Sequence, residues 1–483
     1  MCNPNQHTAC VIGGGISGLF TGALLAKNGY KVTILEKNHI IGGGLQSFRR
    51  GDSLFNSGVQ ALVGYGEGQI VRQLIRYLDN LPIHLMPTSA TAQEMIWVDK
   101  KHQYCMPRGK SAYIEYLVSQ FPRETEGIHQ LLEAIYEIGY ANNYIWLKKS
   151  QVHPEVIKYS NFSSDALIRQ YIKDEMLIKL LEYIGINVGG GLKTISALEF
   201  GMMLTLYIEG SYRYQGGAVL CANELVNYIC QYGGKVINNC EVKKISVADR
   251  HIKYVATQND EKYIADVFVH SASPRLLLQY TQGEIFRKST KLRIENQVSR
   301  FSGFAIYLEL KEETFPFINS IVFVRKEFNN EYLPDYIYIL TPPSLNQGKW
   351  AKTMEILVPA PFSNFNEWEQ TKVENRGAEY NIMKETYAEE IINYVSEFYP
   401  ALKNAIKHKY TATGLTVRDY FGNPNGAIYG QQGLYIPVKT KIDNLFMTGQ
   451  AVQNQGVCGA VVSSVLTAET ILQKSLIEEI AKA

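Results

Sequence analysis

The sequence predicts an α/β fold built around a parallel sheet, and three observations near the N terminus support this prediction. Residues 8–12 form a short apolar run with β-branched side chains, which is typical of a buried parallel strand. Residues 16–28 have the pattern of a helix that Gly29 ends, and residues 32–35 form a second apolar run that closes with Glu36. A strand, a helix and a second strand within about 30 residues predict a parallel βαβ unit.

Three glycines between the first strand and the helix, Gly13, Gly15 and Gly18, have the spacing G-x-G-x-x-G. In such a unit the first glycine permits a tight turn, the second lets the backbone approach a pyrophosphate, and the third lets helix and strand pack closely. The helix N terminus offers free N–H groups and a positive dipole to the phosphates. Glu36 lies where an acid accepts a hydrogen bond from a ribose hydroxyl; the alternative is an ordinary exposed acid. The motif predicts a dinucleotide site that fits NAD as well as FAD.

Composition limits the classes of function open to the chain. Its 483 residues are enough for two or three domains, and 46% hydrophobic with 19% charged residues is ordinary for a folded protein. The formal net charge of +2 gives no electrostatic argument for binding nucleic acid. The seven cysteines are scattered without a C-x-x-C pair, which argues against a disulfide framework or a metal site and for a reducing compartment.

Two segments bear on membrane attachment. Residues 11–26 are apolar, but the run is short for a membrane span and contains five glycines, so no transmembrane helix is predicted. A basic amphipathic helix begins near Gly68, and it suits either an anionic membrane surface or packing on the protein's own core. No basic stretch precedes the first strand, so no secretory signal is expected. We therefore expect a cytoplasmic protein, with peripheral attachment to a membrane as the open alternative.

Helical and strand-like segments follow in three blocks. The first block is mostly helical, with helices expected at residues 111–120, 126–150, 164–184 and 196–209. The nucleotide-binding pattern then returns, with a helix expected at residues 220–232 and strands expected within residues 235–245 and 265–272. The third block predicts a large sheet with a helical cover. Its strands are expected at residues 304–310, 321–324, 336–340 and 354–358, and its helix at residues 387–397. A strand and a long helix close the chain, at residues 444–450 and from 456 onward.

Motifs along the whole chain carry a family resemblance. Residues 214–217, Tyr-Gln-Gly-Gly, precede a helix, a Gly-Gly pair and Glu241-Val242. This segment is similar to one in the FAD-dependent oxidoreductases related to amine oxidases and carotenoid desaturases. Further segments resemble retinol saturases, carotenoid isomerases and phytoene desaturases, at residues 55–64, 188–210, 299–304, 415–430 and 444–460. The chain is identified as a member of this branch over nearly its whole length.

The resemblance implies a Rossmann-type FAD-binding domain, discontinuous in sequence, and a second α+β domain of mixed sheet and helical cover that binds substrate. We expect the first domain at residues 1–75, 214–290 and 425–483, and the second at 76–213 and 291–424. The implied reaction acts on C=C or C–C bonds of a long apolar polyene or isoprenoid. Saturation, desaturation and isomerisation are all open. Without a second complete G-x-G-x-x-G unit for NAD(P)H, electrons would come from or go to an external partner.

The resemblance also implies which residues bind FAD. In the family, the backbone at the position of Val242 contacts adenine. The N–H groups of Val457 and Cys458, at a helix N terminus, would stabilise negative charge on the reduced flavin. Tyr420 and Tyr429 are the candidate catalytic residues, because saturation needs a proton donor. The residues expected to contact FAD are Gly13, Gly15, Ile16, Ser17, Gly18, Glu36, Lys37, Gly43, Gly44, Val242, Ser271, Gly449, Gln450, Gly456, Val457, Cys458 and Ala460.

The chain departs from the family pattern at three positions. Gln450 stands where the wider family usually has an aspartate that holds the ribityl chain, and Asn56 and Gln60 replace an acid and a histidine. These changes leave the substrate and the reaction direction open. Two other functions remain as alternatives on the same scaffold. One is an amine or amino-acid oxidase, and the other is a non-enzymatic lipid- or prenyl-binding protein of the kind found among GDP-dissociation inhibitors.

Overall fold

A computed structural model describes residues 6–141, 144–148, 158–296, 301–373, 375–429, 435–453 and 456–483. The strands are β1 (Thr8–Ile12), β2 (Lys31–Leu35), β3 (Ser47–Arg50), β4 (Ser53–Asn56), β5 (Leu85–Pro87), β6 (Glu94–Trp97), β7 (Gln103–Met106), β8 (Tyr212–Tyr214), β9 (Lys235–Ile237), β10 (Val242–Ala248), β11 (His251–Thr257), β12 (Lys262–Tyr263), β13 (Val267–His270), β14 (Ser302–Leu310), β15 (Ile321–Arg325), β16 (Tyr336–Leu340), β17 (Thr353–Ala360), β18 (Ile406–Ala412) and β19 (Leu445–Met447). The α-helices are α1 (Ile16–Lys27), α2 (Ile70–Tyr77), α3 (Lys110–Gln120), α4 (Thr125–Tyr140), α5 (Ser164–Tyr171), α6 (Glu175–Leu181), α7 (Gly185–Val188), α8 (Ala197–Glu209), α9 (Val219–Gln231), α10 (Pro274–Tyr280), α11 (Lys288–Asn296), α12 (Ala378–Ser396), α13 (Leu402–Ala405), α14 (Gly414–Phe421), α15 (Gly456–Leu472) and α16 (Ile477–Ala481).

A five-stranded parallel sheet joins segments from both ends of the chain. Its strand order is β19-β13-β1-β2-β9, and every neighbouring pair is parallel. Strand β1 is buried on both faces, which explains its apolar run. Ala9 and Val11 pack in the core formed with α1, α9 and α15, whereas Cys10 and Ile12 pack with the antiparallel strands β10 and β11. The sheet confirms the predicted α/β fold.

A seven-stranded mixed sheet forms the second large element. Its order is β18-β14-β17-β16-β15-β6-β7, and only the β15–β6 pair is parallel. In β15, Ile321 and Phe323 pack in the core shared with the helical block, and Val322 and Val324 pack in the core that contains α12. The sheet therefore has helices on both faces, in agreement with the predicted mixed sheet and helical cover.

The helical block differs from the prediction in two places. The helix expected at residues 126–150 ends at Tyr140, and part of the remainder lies outside the described residues. The helix expected at residues 164–184 is broken between α5 and α6. The backbone is extended at Ile172, and Asp174 caps α6 by accepting hydrogen bonds from the N–H groups of Met176 and Leu177 at 2.8 and 3.1 Å. In the third block, α12 begins nine residues earlier than predicted.

Helix α2 corresponds to the basic amphipathic segment, and its apolar face is already covered. Ile70, Val71, Leu74 and Ile75 are buried beside α15 and α16. On the outer side, Arg72 forms an ion pair with Glu67 at 3.0 Å. The packing alternative therefore holds for this helix. Within the described ranges, no helix has the length and apolar character needed to cross a bilayer.

Helix α1 approaches the loop after β1 very closely at Gly18. A Cβ atom at Gly18 would lie 2.1 Å from the carbonyl oxygen of Gly13 and 2.7 Å from the Oγ of Ser271. Gly22, one turn later, is different, because its added Cβ would meet only side-chain methyl groups, the nearest being Ile34 Cδ1 at 3.0 Å. The side-chain methyl groups near Gly22 are able to move away from an added Cβ, whereas the backbone carbonyl near Gly18 is not.

We expect Gly18→Ala to lower the free energy of unfolding by about 1–3 kcal/mol, because the loop must shift to admit the methyl group. Gly22→Ala on the same helix is the matched control. There the better helix propensity of alanine, about 1 kcal/mol, offsets the side-chain contact. Urea unfolding of both variants measures the difference. Equal stability of the two variants would contradict the packing role of Gly18.

Candidate active site

A cavity of about 320 Å³ lies at the carboxyl ends of β1, β2, β13 and β19 and extends to the mixed sheet and the helical block. In an open parallel sheet this edge is where ligands bind. Sixteen of the nineteen residues predicted for the site line the cavity. The three that do not are Gly18, Cys458 and Ala460, which lie in the surrounding core. We call the part lined by Gly15, Glu36, Lys37, Val242 and Ser271 the sheet end.

The sheet end contains an open space at the N terminus of α1. Helix α1 begins after Gly15, which has no side chain to cap the first N–H groups of the helix. A Cβ at Gly15 would meet no atom within 4 Å, and Gly43 packs beside it, so close that its own Cβ would lie 3.0 Å from the Gly15 Cα. The unpaired N–H groups of a first helical turn thus border free space, which is the arrangement that binds phosphate.

Glu36 is buried at this end rather than exposed, with 5% of its surface accessible. Its Oε2 accepts a hydrogen bond from the Gly14 N–H at 2.7 Å and its Oε1 accepts one from the Asn38 N–H at 2.8 Å. Burial raises the pKa of Glu36, and these two hydrogen bonds oppose that shift. The alternative of an ordinary exposed acid is therefore wrong.

The C-terminal end of α14 is tied to the same end of the cavity. The Lys37 Nζ donates to the carbonyl oxygen of Asp419 at 2.9 Å, and the Asn38 side chain donates to the carbonyl oxygen of Tyr420 at 3.0 Å. Tyr420 thus lies beside Asn38, and its side chain is exposed. Val242, the first residue of β10, is buried and lines the cavity nearby.

The last strand and helix are fastened to the first helix by buried hydroxyl groups. The Ser463 Oγ accepts a hydrogen bond from the Gly449 N–H at 2.8 Å, and the Ser464 Oγ donates to the Ser17 carbonyl at 3.0 Å. Gly456 and Val457 at the start of α15 line the cavity with Gln450. Burial raises the pKa of the Cys458 thiol to about 12, so it remains protonated, and it packs against Gly64 as a small side chain.

The opposite end of the cavity, which we call the inner end, is lined by Gln60, Asn187, Tyr207, Tyr338 and Tyr429. The Tyr207 hydroxyl donates to the Asn187 Oδ1 at 2.9 Å. Burial raises the pKa of each of the three tyrosines, so all three phenols are neutral. The structure therefore places the two predicted catalytic tyrosines among different neighbours, with Tyr429 at the inner end.

Two of the three departures from the family pattern, Asn56 and Gln60, meet at one buried carboxyl group. Glu355 on β17 is 1% exposed and accepts hydrogen bonds from the Asn56 N–H at 2.7 Å and from the Gln60 Nε2 at 2.8 Å. Burial raises the pKa of Glu355 to about 8, while these two hydrogen bonds and the charge of Arg213 oppose the shift. Glu355 is thus mostly protonated at neutral pH and fixes the Gln60 side chain in the cavity wall.

Comparison with known families identifies the cofactor of this site. The model of a family described as flavin-containing amine oxidoreductases matches residues 16–472. The chain belongs to this family. It is therefore a FAD-dependent oxidoreductase, and the prediction of FAD is confirmed.

The relatives of this flavoenzyme confirm the resemblance to the retinol saturase branch. All-trans-retinol 13,14-reductase of Danio rerio is 24% identical over 98% of this chain and 87% of its own length, and that of Rattus norvegicus is 22% identical over 99% and 87%. Prolycopene isomerase of Daucus carota is 23% identical over 96% of this chain and 80% of its own length.

Solved structures show the same fold. An oxidoreductase from Methanosarcina mazei has a TM-score of 0.67 at 15% identity, and the match covers 97% of this chain and 100% of the other. A single-site mutant of putrescine oxidase has a TM-score of 0.66 at 14% identity, and that match covers 97% of this chain and 99% of the other. These likenesses support the two-sheet architecture of the flavoenzyme.

The residues present fit FAD. The space at Gly15 is free of protein atoms within 4 Å of an added Cβ and borders an uncapped helix N terminus, which is what a pyrophosphate would require. His270 at the end of β13 supplies a further observation. It is fully buried, its Nε2 lies 3.1 Å from the Ser273 carbonyl oxygen, and its Nδ1 has no hydrogen-bond partner in the described part of the chain. Since the carbonyl only accepts, the proton is on Nε2, and Nδ1 is an unpaired acceptor of a residue that lines the cavity.

Sequence reasoning missed the buried polar residues of the inner end. Asn187 and Tyr207 lie in the helical block, and Tyr338 and Glu355 lie on strands of the mixed sheet. The available signal was a polar side chain inside an apolar run, as in residues 184–188 and 354–358. Such a signal marks a candidate buried group, but it does not show which cavity the group faces.

The burial of His270 leads to a pH prediction. Burial lowers the pKa of His270 from 6.5 to about 4. Between these pH values the unfolded chain binds a proton at this residue that the folded protein does not bind, so acidification favours unfolding. We expect His270→Gln to reduce the slope of the unfolding free energy against pH, between pH 6.5 and pH 4, by the equivalent of up to about one bound proton.

Urea unfolding at several pH values measures this slope. His129→Gln, at an exposed position of α4, is the matched control for the loss of one imidazole. If the unfolding free energy of His270→Gln has the same slope against pH as that of the wild type and of the control, the buried neutral state of His270 is refuted.

Proposed function

We propose that this flavoenzyme acts on the carbon–carbon double bonds of a long, apolar polyene or isoprenoid. The observation that carries the proposal is the similarity over nearly the whole chain to proteins named all-trans-retinol 13,14-reductase and prolycopene isomerase. Saturation adds a hydride to one carbon and a proton to its neighbour, with the electrons coming from an external donor. Desaturation is the reverse and needs an external acceptor, and isomerisation has no net electron transfer.

The distribution of charge in the cavity supports this substrate class. Among the described lining residues, the charged side chains are Glu36, Lys37 and Glu241, all near the sheet end. The inner end is formed by neutral amides and phenols and by apolar side chains such as Met203 and Ile428. An apolar chain is therefore bound without leaving a buried charge unpaired.

We assign the sheet end of the cavity to the ADP part of FAD and the N terminus of α15 to the flavin part. The N terminus of α1 would hold the pyrophosphate, Glu36 a ribose and the Val242 backbone the adenine. When bound, FAD supplies hydride transfer at its isoalloxazine ring. The N terminus of α15 at Val457 would stabilise negative charge there, and Tyr429 is the better placed of the two tyrosines to contact substrate. Support comes from the lining of one continuous cavity by these residues.

We also propose the domain boundaries, 1–75, 214–290 and 425–483 for FAD and 76–213 and 291–424 for substrate. All five strands of the parallel sheet fall in the first set, and all seven of the mixed sheet fall in the second.

Because an apolar polyene partitions into lipid, we propose a cytoplasmic enzyme that attaches peripherally to a membrane to take up substrate. Electrons would be exchanged with a separate donor or acceptor.

Neither alternative function is favoured. The relatives from Danio rerio, Rattus norvegicus and Daucus carota are named for retinol and prolycopene rather than for amines. The described lining of the inner end offers no ionised carboxylate to pair with an ammonium group. A non-enzymatic lipid carrier conflicts with membership of an oxidoreductase family.

The first test concerns the FAD site. We expect Gly15→Ala to weaken FAD binding by at least about tenfold while leaving the fold intact. The added methyl group meets no protein atom within 4 Å, but it occupies the space assigned to the pyrophosphate. The flavin content of the purified variant and its unfolding without FAD are the two measurements.

The matched control is Gly348→Ala, because a Cβ at Gly348 also meets no atom within 4 Å and that residue lies in an exposed loop. Gly348→Ala is expected to bind FAD as the wild type does. Wild-type FAD affinity in Gly15→Ala would remove the assignment of the pyrophosphate to this space.

The second test concerns the reaction. We expect FAD-loaded enzyme, reduced under nitrogen, to convert all-trans-retinol or a carotene to a product with two more hydrogen atoms. An isomer of unchanged mass would indicate the redox-neutral reaction. The loss of polyene absorbance and the product mass measure this, with Gly15→Ala as the control for FAD dependence. Unchanged polyenes together with peroxide released from an amine panel would refute the proposal.

A further inference from the structure

A buried amide at the inner end has one unused hydrogen-bonding atom. Asn187 lies on α7, lines the cavity and is 6% exposed. Its Oδ1 accepts a hydrogen bond from the Tyr207 hydroxyl at 2.9 Å. Its Nδ2 is out of contact with solvent and has no hydrogen-bond partner in the described part of the chain. Tyr207 therefore fixes the amide and leaves its donor group unpaired.

An unpaired buried donor is costly, and nearly all buried polar groups in native proteins find a partner. Asn187 lies in a short helical segment rich in apolar residues, where a leucine of similar volume would carry no such cost. Because Asn187 lines the cavity, a bound molecule is able to provide the missing acceptor. In that case the hydrogen bond forms only with a ligand that carries an oxygen at this place.

The surroundings of Asn187 select a neutral acceptor. Burial raises the pKa of Tyr207 and Tyr338, so both are uncharged phenols, and burial raises the pKa of nearby Glu94 to about 8. Arg213, a buried cation close to Tyr338 and Glu355, already donates to the backbone carbonyls of Ile318 and Thr341. Among the described residues that line the inner end, none is a cation that could pair with a carboxylate at Asn187, whereas a hydroxyl or carbonyl oxygen needs no such partner.

We propose that Asn187 binds the neutral oxygen of a terminally oxygenated polyene, an alcohol or a carbonyl compound, and so sets the preference of the enzyme for such substrates over hydrocarbon polyenes. Tyr207 is the positioning residue, because its hydroxyl holds the amide in place. This inference rests on the proposed function. It adds a specific contact and a choice between two classes of polyene.

The test measures ligand binding to the oxidised, FAD-loaded enzyme. The change in flavin absorbance reports the binding, so that no turnover is needed. The probes are all-trans-retinol, the hydrocarbon with the same skeleton but no hydroxyl group, and the corresponding carboxylic acid. We expect the wild type to bind the alcohol about tenfold more tightly than either other probe. In Asn187→Leu, we expect the alcohol to lose about tenfold and the hydrocarbon to be bound as before.

Tyr207→Phe is a second, volume-conserving variant, and we expect a loss of about two- to fivefold for the alcohol alone. Asn259→Leu, at an exposed turn, is the control for the same chemical change elsewhere. Equal binding of alcohol and hydrocarbon by the wild type overturns the inference even if both are turned over. So does an alcohol preference that survives in both variants, which would indicate that a water molecule completes the Asn187 amide. Failure of the wild type to bind any polyene would overturn the proposed function as well.

Discussion

The close approach of α1 to the loop after β1 is the constraint on which the rest of the site depends. The Gly13 carbonyl oxygen occupies the place that a side chain at Gly18 would fill, and the same oxygen accepts a hydrogen bond from the Ser271 Oγ at 2.8 Å. The Ser464 hydroxyl then ties the last long helix to Ser17. Since these contacts join residues far apart in sequence, the cavity exists only when segments from the beginning, middle and end of the chain are assembled.

Polarity is divided along the cavity in the same way as along the cofactor and its proposed substrate. The sheet end offers a helix N terminus and charged side chains, which suit phosphates and ribose hydroxyls. The inner end offers phenols, amides and hydrocarbon side chains, all uncharged at neutral pH. Hydride transfer between a flavin and a polyene needs alignment more than a strong acid–base pair, so a neutral, closely packed surface suits it.

The sequence predicts the sheet end well because its chemistry is local. Gly13 to Glu36 form one continuous unit whose glycine spacing and terminal acid have a direct physical meaning. The inner end is different, since Gln60 meets Glu355 across 295 positions of the chain and Tyr207 meets Asn187 through the packing of two helices. The break between α5 and α6 was missed for a related reason. The apolar periodicity continues through it, and the cap at Asp174 decides where the second helix begins.

The buried acid Glu355 explains how a member of an amine oxidoreductase family is suited to an uncharged substrate. Its carboxyl oxygens are occupied by the Asn56 N–H and the Gln60 amide, and burial keeps it mostly protonated at neutral pH. An ammonium substrate would need a carboxylate that is both ionised and free to pair, and this carboxyl group is neither. Asn56 and Gln60, which separate the chain from the family motif, therefore act together. They enclose the Glu355 carboxyl group and leave the Gln60 amide in the wall as a neutral contact.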